Sequence, residues 1–451
     1  MQKPTADSKP PFQINRRHFL RTAAVASLPL WFLERQLMAA GAPRRRPGPN
    51  DRPRIALIGC GGMGRGDAED ATRFGDIVAV CDVDESHVEK AATQFTKGGK
   101  TPAKFRDFRH VMERDDVDVI IQGTPDHWHT LINLAAANAK KDVYAEKPLT
   151  HSIDEGRHLV KAVRKNGIIL QTGTQQRSTG KFRLACELVR NGRIGRLKRV
   201  HVFVPAGLRA GPFAPQTAPK ELNWDFWLGP APRVDYLAER CHRTFRWWFD
   251  YAGGPVTDWG AHHNDIARWA IGLDGPGQVE ARALVEPIPG GYPTPPEFEA
   301  RLTWANGVEQ IVRTTTDDSP FGAIIKADGQ RNGIKFEGTD GWIWVNRDDL
   351  DASKEDIIFT PLPENAVHLE GSRDHMENFF DSVRSRKDPI CPVEGGHRSA
   401  SIGHLIVIAL RTGLKLNFDP TKEKFIGENA KAGNALVARE MRKPYGYGMV
   451  S

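Results

Sequence analysis

The sequence predicts an α/β chain: a doubly wound domain on a parallel sheet, then an α+β domain with a large mixed or antiparallel sheet. Three observations carry this. Short apolar runs alternate with helix-compatible stretches from Arg54 to Leu170. The first run feeds a glycine-rich turn, Gly59-Cys60-Gly61-Gly62-Met63-Gly64. Beyond about residue 277 the pattern changes to strand-like segments with turns, closed by two helical stripes.

The chain has 451 residues, 39% hydrophobic and 26% charged, with 11 Trp and 21 Phe. That suffices for two domains with cores and is too apolar for a disordered chain. The longest apolar stretch, Thr22 to Leu33, is 12 residues, short of the roughly 20 that span a bilayer. No stable membrane span is expected. The net charge is +7, but residues 1–42 and 43–54 each hold a surplus of +4, which leaves −1 from Ile55 onward. A nucleic-acid partner for the folded part is therefore excluded.

Arg16-Arg17-His18-Phe19-Leu20 precedes the apolar run, and Ala39-Ala40-Gly41-Ala42 follows it. This resembles a twin-arginine signal, so residues 1–42 are read as a leader handed to that export machinery, with a periplasmic or extracellular destination. Residues 43–52 form a Pro/Arg-rich arm, 53–170 the first domain and 171–451 the second. Five cysteines, an odd count without CxxC spacing, do not suggest a disulfide framework or structural zinc.

Ile55-Ala56-Leu57-Ile58 reads as a buried strand, and a helix is expected over Asp67–Phe74. Strand, GxGxxG and helix together are the context of a Rossmann dinucleotide site. Gly59 permits the tight turn, Gly61 lets the backbone approach a pyrophosphate with Gly62 and Met63 beside it, and Gly64 allows close helix–strand packing. A second strand, Ile77–Cys81, ends in Asp82, 23 residues after Gly59. That carboxylate suits ribose hydroxyls and repels a 2′-phosphate, so the cofactor read from these residues is NAD.

A third strand, Val117–Ile121, runs into Thr124-Pro125-Asp126-His127-Trp128-His129, and a helix follows over Leu131–Ala139. Val143-Tyr144-Ala145 then leads into Glu146-Lys147-Pro148. Both polar motifs fall at carboxyl ends of strands, where open parallel sheets bind ligands. With GxGxxG, TPxxxH and EKP in this order, the chain resembles the glucose–fructose oxidoreductase/inositol dehydrogenase family of sugar and polyol oxidoreductases. The resemblance covers residues 53 to about 415. It implies that Lys147 reaches the reacting hydroxyl, and that Thr124, Pro125, His127, Trp128, His129 and Glu146 border the cofactor. A homo-oligomer, dimer or tetramer, is the expected assembly.

A helix over Ile153–Lys165 and a strand over Ile168–Leu170 precede Arg177, which is either a substrate contact or half of a structural ion pair. Gly253-Gly254-Pro255-Val256-Thr257-Asp258 opens another helix, with His262 four residues after Asp258. On one helix face a carboxylate can orient an imidazole that takes a proton. The family's DxxxH motif matches these two positions and implies His262 as base with Asp258 beside it. His263 is a further candidate for substrate contact. A metal site built from His127, His129, His262 and His263 is possible in principle, but none is expected. Trp224 to Phe249 carries seven Trp or Phe, which either present flat faces to a sugar, Trp248 among them, or pack an insertion. Strands are expected at Gly333–Gly338 and Trp342–Val345, and helices at Arg373–Arg384 and His397–Arg411.

The functional expectation is an exported, NAD-containing oxidoreductase acting on a sugar, glycoside or cyclitol hydroxyl. The alternative is an NAD-dependent glycosidase, which oxidises, eliminates, adds water and reduces back.

Overall fold

In Arg54–Ile58 every side chain after the first is buried, as expected of a strand covered on both faces, and it forms β1. The computed structural model describes residues 52–315 and 332–450. The leader and nearly all of the Pro/Arg-rich arm lie outside the described residues. Within them, no helix is long and apolar enough to cross a membrane.

From β1 the chain alternates as its periodicity predicts, through α1 (Gly62–Ala71), β2 (Asp76–Cys81), α2 (Glu85–Gln94), β3 (Ala103–Phe105) and α3 (Phe108–Met112). It continues through β4 (Val119–Gln122), α4 (Asp126–Asn138), β5 (Asp142–Ala145), α5 (Ile153–Asn166) and β6 (Leu170–Thr172). All six strands pair parallel in the order β3-β2-β1-β4-β5-β6. The order reverses between β1 and β4, and a crevice opens at their carboxyl ends. α1 begins at Gly62, five residues before the expected start at Asp67. The glycine turn is itself the first turn of the helix, so its backbone N–H groups point into the crevice.

The second sheet has nine strands: β7 (Leu197–Pro205), β8 (Gln278–Val285), β9 (Glu297–Thr303), β10 (Glu309–Thr315), β11 (Gly333–Gly338), β12 (Trp342–Val345), β13 (Leu350–Ala352), β14 (Leu416–Asp419) and β15 (Lys424–Ile426). They lie in the order β13-β12-β11-β7-β10-β9-β8-β14-β15. β7 and β10 pair parallel and β7 and β11 antiparallel, so the sheet is mixed. The remaining helices are α6 (Gly180–Arg190), α7 (Trp224–Leu228), α8 (Trp259–Ile271), α9 (Glu355–Phe359), α10 (His375–Ser385), α11 (Val393–Thr412) and α12 (Ala430–Asn434). Phe182 and Leu188 of α6, Ile266 of α8 and Leu405 of α11 pack on Val200, Val202, Val312 and Phe336 of this sheet. α10 instead sends Met376, Phe379 and Phe380 onto the first sheet, against Leu57, Val119 and Ile121.

Residues 206–256 form an insertion of one short helix and 3₁₀ turns with an apolar cluster of its own. All five cysteines are buried and free.

The two sheets are joined by a buried ion pair. Arg177, in the turn after β6, donates two 2.7 Å bonds to the Asp265 carboxylate in α8. Its Nη1 also reaches the Ile390 carbonyl, and Ser399 Oγ donates to Asp265. The side chains are 7% and 0% exposed, so removing one partner strands a buried charge. Arg177→Ala is expected to lower unfolding free energy by about 3–5 kcal/mol in urea titrations. A loss under about 1 kcal/mol would reject this structural role.

Candidate active site

A cleft of about 440 Å³ runs along the carboxyl ends of the parallel strands. Gly59, at φ +90, turns the chain so tightly that a Cβ there would lie 2.5 Å from Gly123. A Cβ on Gly64 would lie 2.0 Å from the Gly59 carbonyl, which brings α1 onto β1. A Cβ added to Gly61 or Gly62 would point into open space, and both wall the cleft with Met63 and Asp82. This is a bare-backbone cradle at a helix N-terminus, suited to a pyrophosphate. At its edge, Asp82 accepts from Cys60 N at 2.7 Å and Asp84 N at 3.0 Å. Those bonds fix a carboxylate where ribose hydroxyls would lie. The donor set fits a dinucleotide without a 2′-phosphate.

Farther along, Thr124, Pro125, Asp126, Trp128 and His129 face Glu146, Lys147 and Pro148 across the cleft. The two ring nitrogens of His129 lie 2.8 Å from the Thr124 carbonyl and 2.7 Å from that of Pro148. It staples the two motifs together. The Lys147–Pro148 peptide is cis. Glu146 is buried, accepting from Gln175 and from Lys147 N, and burial raises its pKa.

Lys147 Nζ lies 2.8 Å from Asp258 Oδ1, and Arg246 of the insertion approaches the same oxygen at 3.4 Å. Burial works against the lysine charge, but Asp258 and Glu146 outweigh it and hold its pKa above the ordinary value. For Asp258, burial is overcome by Lys147 and Arg246, which hold it ionised. His262, one turn into α8, is pushed the other way: burial first, then the charges of Lys147 and Arg347, take its pKa well below the ordinary value. Its Nδ1 is buried without a hydrogen-bond partner among the described residues. Lys147 is thus a charged ammonium donor able to polarise an oxygen in the cleft, and His262 is a neutral imidazole that its charge reaches.

A family model described as the NAD-binding Rossmann fold of an oxidoreductase family matches residues 53–174. The C-terminal alpha/beta domain of the same family matches residues 206–447. The chain belongs to the Gfo/Idh/MocA oxidoreductase family. It is an NAD-dependent oxidoreductase with NAD as its cofactor. It is similar to the uncharacterized oxidoreductase YrbE of Bacillus subtilis, 24% identical across 81% of this chain and 97% of that one. A glycosyl hydrolase family 109 protein of Shewanella pealeana is 27% identical, over 41% of this chain and 44% of its own. The myo-inositol 2-dehydrogenase of Thermotoga maritima is 30% identical over 49% and 55%. Among solved structures, the WlbA dehydrogenase of Bordetella pertussis in complex with NADH and UDP-GlcNAcA shares the fold. Its TM-score is 0.60 at 18% identity, over 82% of this chain and 99% of that one.

Several expected contacts are corrected by the structure. Asp258 does not hold His262: it is the N-cap of α8, with ψ −91, and this non-helical backbone aims its carboxylate at Lys147. His127 does not face the cleft. It is buried, and its Nε2 donates to the Trp227 carbonyl at 2.9 Å, beside Trp128 Nε1 at 3.0 Å. Arg177 is committed to Asp265 and does not wall the cleft. His263 is buried against Asn332. Trp248 packs inside the insertion, donating to the Glu239 carbonyl under the Arg240 guanidinium. Phe226, Trp227, Phe245 and Arg246 of the same insertion do wall the cleft. His262 is not among the walls of this cleft, although it feels the Lys147 charge.

Asp126 is a cleft residue that the sequence does not reveal. It starts α4, is 7% exposed, and faces the cleft near Lys147, Arg246 and Asp258. Burial, aided by Asp258, raises its pKa to about 8 against the pull of Lys147 and Arg246. The only signal in the sequence was its place after Thr124-Pro125, with nothing to show the burial.

The folded state therefore holds this proton more tightly than the unfolded chain between the ordinary value of 3.8 and about 8. Stability from this group is complete below that window and declines as pH rises through it. Asp126→Asn should remove the decline, so that the variant gains on the wild type by up to about 1.4 kcal/mol per pH unit. Urea midpoints across that range test this; parallel curves would contradict it.

Proposed function

We propose that this chain is an exported oxidoreductase that keeps NAD in place and acts by hydride transfer on a hydroxyl of a sugar, glycoside or cyclitol. The observation that carries the reading is the Lys147–Asp258 pair at 2.8 Å, walling the same cleft as the glycine cradle and Asp82. Bound NAD would supply the hydride acceptor. Gly59, Gly61, Gly62, Met63 and Asp82 would hold its pyrophosphate and ribose, with Thr124, Pro125, Trp128, Glu146 and Lys147 along the rest.

The chain's residues divide the remaining work. Lys147 donates a hydrogen bond to the reacting oxygen and, as an ammonium, stabilises negative charge developing there. Asp258 keeps that ammonium charged and aimed. His262, neutral at physiological pH, accepts the hydroxyl proton. The twin-arginine motif supports export to the periplasm or beyond. Outside the cytoplasm free NAD cannot be relied on, which supports a resident cofactor regenerated within one cycle. The homo-oligomer is part of the same proposal and rests on the family resemblance.

A second reading, the NAD-dependent glycosidase, has two supports: the glycosyl hydrolase family 109 relative and Asp126. An elimination needs an acid for the departing group, and Asp126 keeps its proton at neutral pH. Purified protein given aryl glycosides and, separately, polyols such as myo-inositol separates the readings. Phenol release without net change in reduced nicotinamide favours the glycosidase; accumulation of reduced nicotinamide or a reduced second carbonyl compound favours the dehydrogenase.

On whichever substrate is turned over, Lys147→Ala and His262→Ala should each lower kcat by about 10²–10⁴-fold while NADH still binds by fluorescence. Rates near wild type in both variants would overturn the assignment.

A further inference from the structure

The insertion is bonded to the first domain beyond β2. Asn223 N donates to the Val83 carbonyl, Glu85 N donates to the Glu221 carbonyl, and Asp84 bridges Leu222. At this junction His242 of the insertion meets Asp84 and His87. One ligand atom from each of the three lies within 4.8 Å of the others. His242 Nε2 is 3.2 Å from Asp84 Oδ2, and the two imidazoles are 4.5 Å apart between centroids.

The donors are individually prepared. Asp84 Oδ1 accepts from Ser86 N at 2.9 Å and Ser86 Oγ at 2.7 Å, which fixes the carboxylate with Oδ2 toward His242. His87 Nδ1 lies 3.5 Å from Asp82 Oδ2, so a carboxylate backs that ring and leaves Nε2 as its donor. This carboxylate–imidazole pairing is the arrangement that orients histidines in metal sites. His242 is one of four described non-glycine residues with positive φ, at 48°. A backbone held in the left-handed region is what aims its ring at the other two.

Asp84, His87 and His242 together make a set of two imidazoles and a carboxylate. That is a usual donor set for zinc and its first-row neighbours.

We propose that Asp84, His87 and His242 bind a divalent first-row cation of the zinc class, leaving one coordination position open, and that the ion pins the insertion to the nucleotide-binding domain. Metal–ligand distances of about 2.0–2.2 Å require the donors to draw together. The side chains of His242 and His87, 42% and 23% exposed, have room to rotate. The proposal does not depend on which reaction the enzyme performs.

The test uses the purified full-length chain, stripped by a chelator and titrated with Zn²⁺ by calorimetry, with Co²⁺ as a spectroscopic probe. One equivalent of Zn²⁺ is expected, and Co²⁺ should show ligand-field absorption of a low-coordinate site. His87→Ala and His242→Ala should each weaken Zn²⁺ binding by more than about 100-fold, beyond the cost of an outer-shell change. Circular dichroism and a thermal melt of each stripped variant check that it folds. X-ray absorption on zinc-loaded wild type gives a reading without any variant: two imidazoles and an oxygen in the first shell are expected. A shell lacking imidazole, or wild-type affinity equal to that of the folded His87/His242 double variant, would overturn the proposal.

Discussion

The site depends on one ion pair, Lys147–Asp258, made at 2.8 Å by side chains 12% and 20% exposed. Lys147 stands at the end of β5 in the first domain and Asp258 caps α8 in the second. The contact spans 111 residues of chain. Neither charge would be stable alone at that depth, because desolvation opposes both. Each keeps the other ionised, so the chemistry at the cleft and the approach of the domains are the same interaction. Arg246, brought by the insertion, adds a second cation to Asp258 and ties a third element into it.

Around this pair the fold supplies positions rather than further charge. The glycine turn opens the cleft at one end because side chains there would collide with Gly59 or Gly123 or fill the cradle. His129 holds the Thr124 and Lys147 turns at a set separation. The Trp227 carbonyl takes bonds from both His127 and Trp128 and so seats the insertion on α4. The carboxyl-terminal tail returns to the same place: Arg439 pairs with Glu155 and reaches the His127 carbonyl, while Arg442 pairs with Asp225. This tail carries no motif, and its contribution is mechanical.

What was legible in the sequence was local. Alternating apolar runs mark β1, β2, β4 and β5, and the motifs alone place the residues following those strands, Gly59, Asp82, Thr124 and Lys147, in a cleft. Contacts between distant segments were not legible. The four-residue spacing of Asp258 and His262 suggested one helix face, but the helix starts after Asp258, and a cap residue points elsewhere. The sequence leaves Arg177 between two roles because its partner, Asp265, lies 88 residues away. In the aromatic insertion the composition was readable and the orientation was not: 3₁₀ turns put Trp248 inside and Phe245 and Arg246 on the cleft. Asp126 shows the same limit, since its proton affinity comes from burial and neighbouring charges rather than from its motif.

The most direct test of this account is the titration of the Lys147 ammonium itself, followed by NMR on protein labelled with ¹⁵N-lysine and assigned with Lys147→Arg. The account predicts that Lys147 stays protonated above the ordinary lysine value of 10.5, and that Asp258→Asn moves its titration downward. A Lys147 that titrates below the ordinary value in the wild type, or that is unmoved by Asp258→Asn, would contradict it.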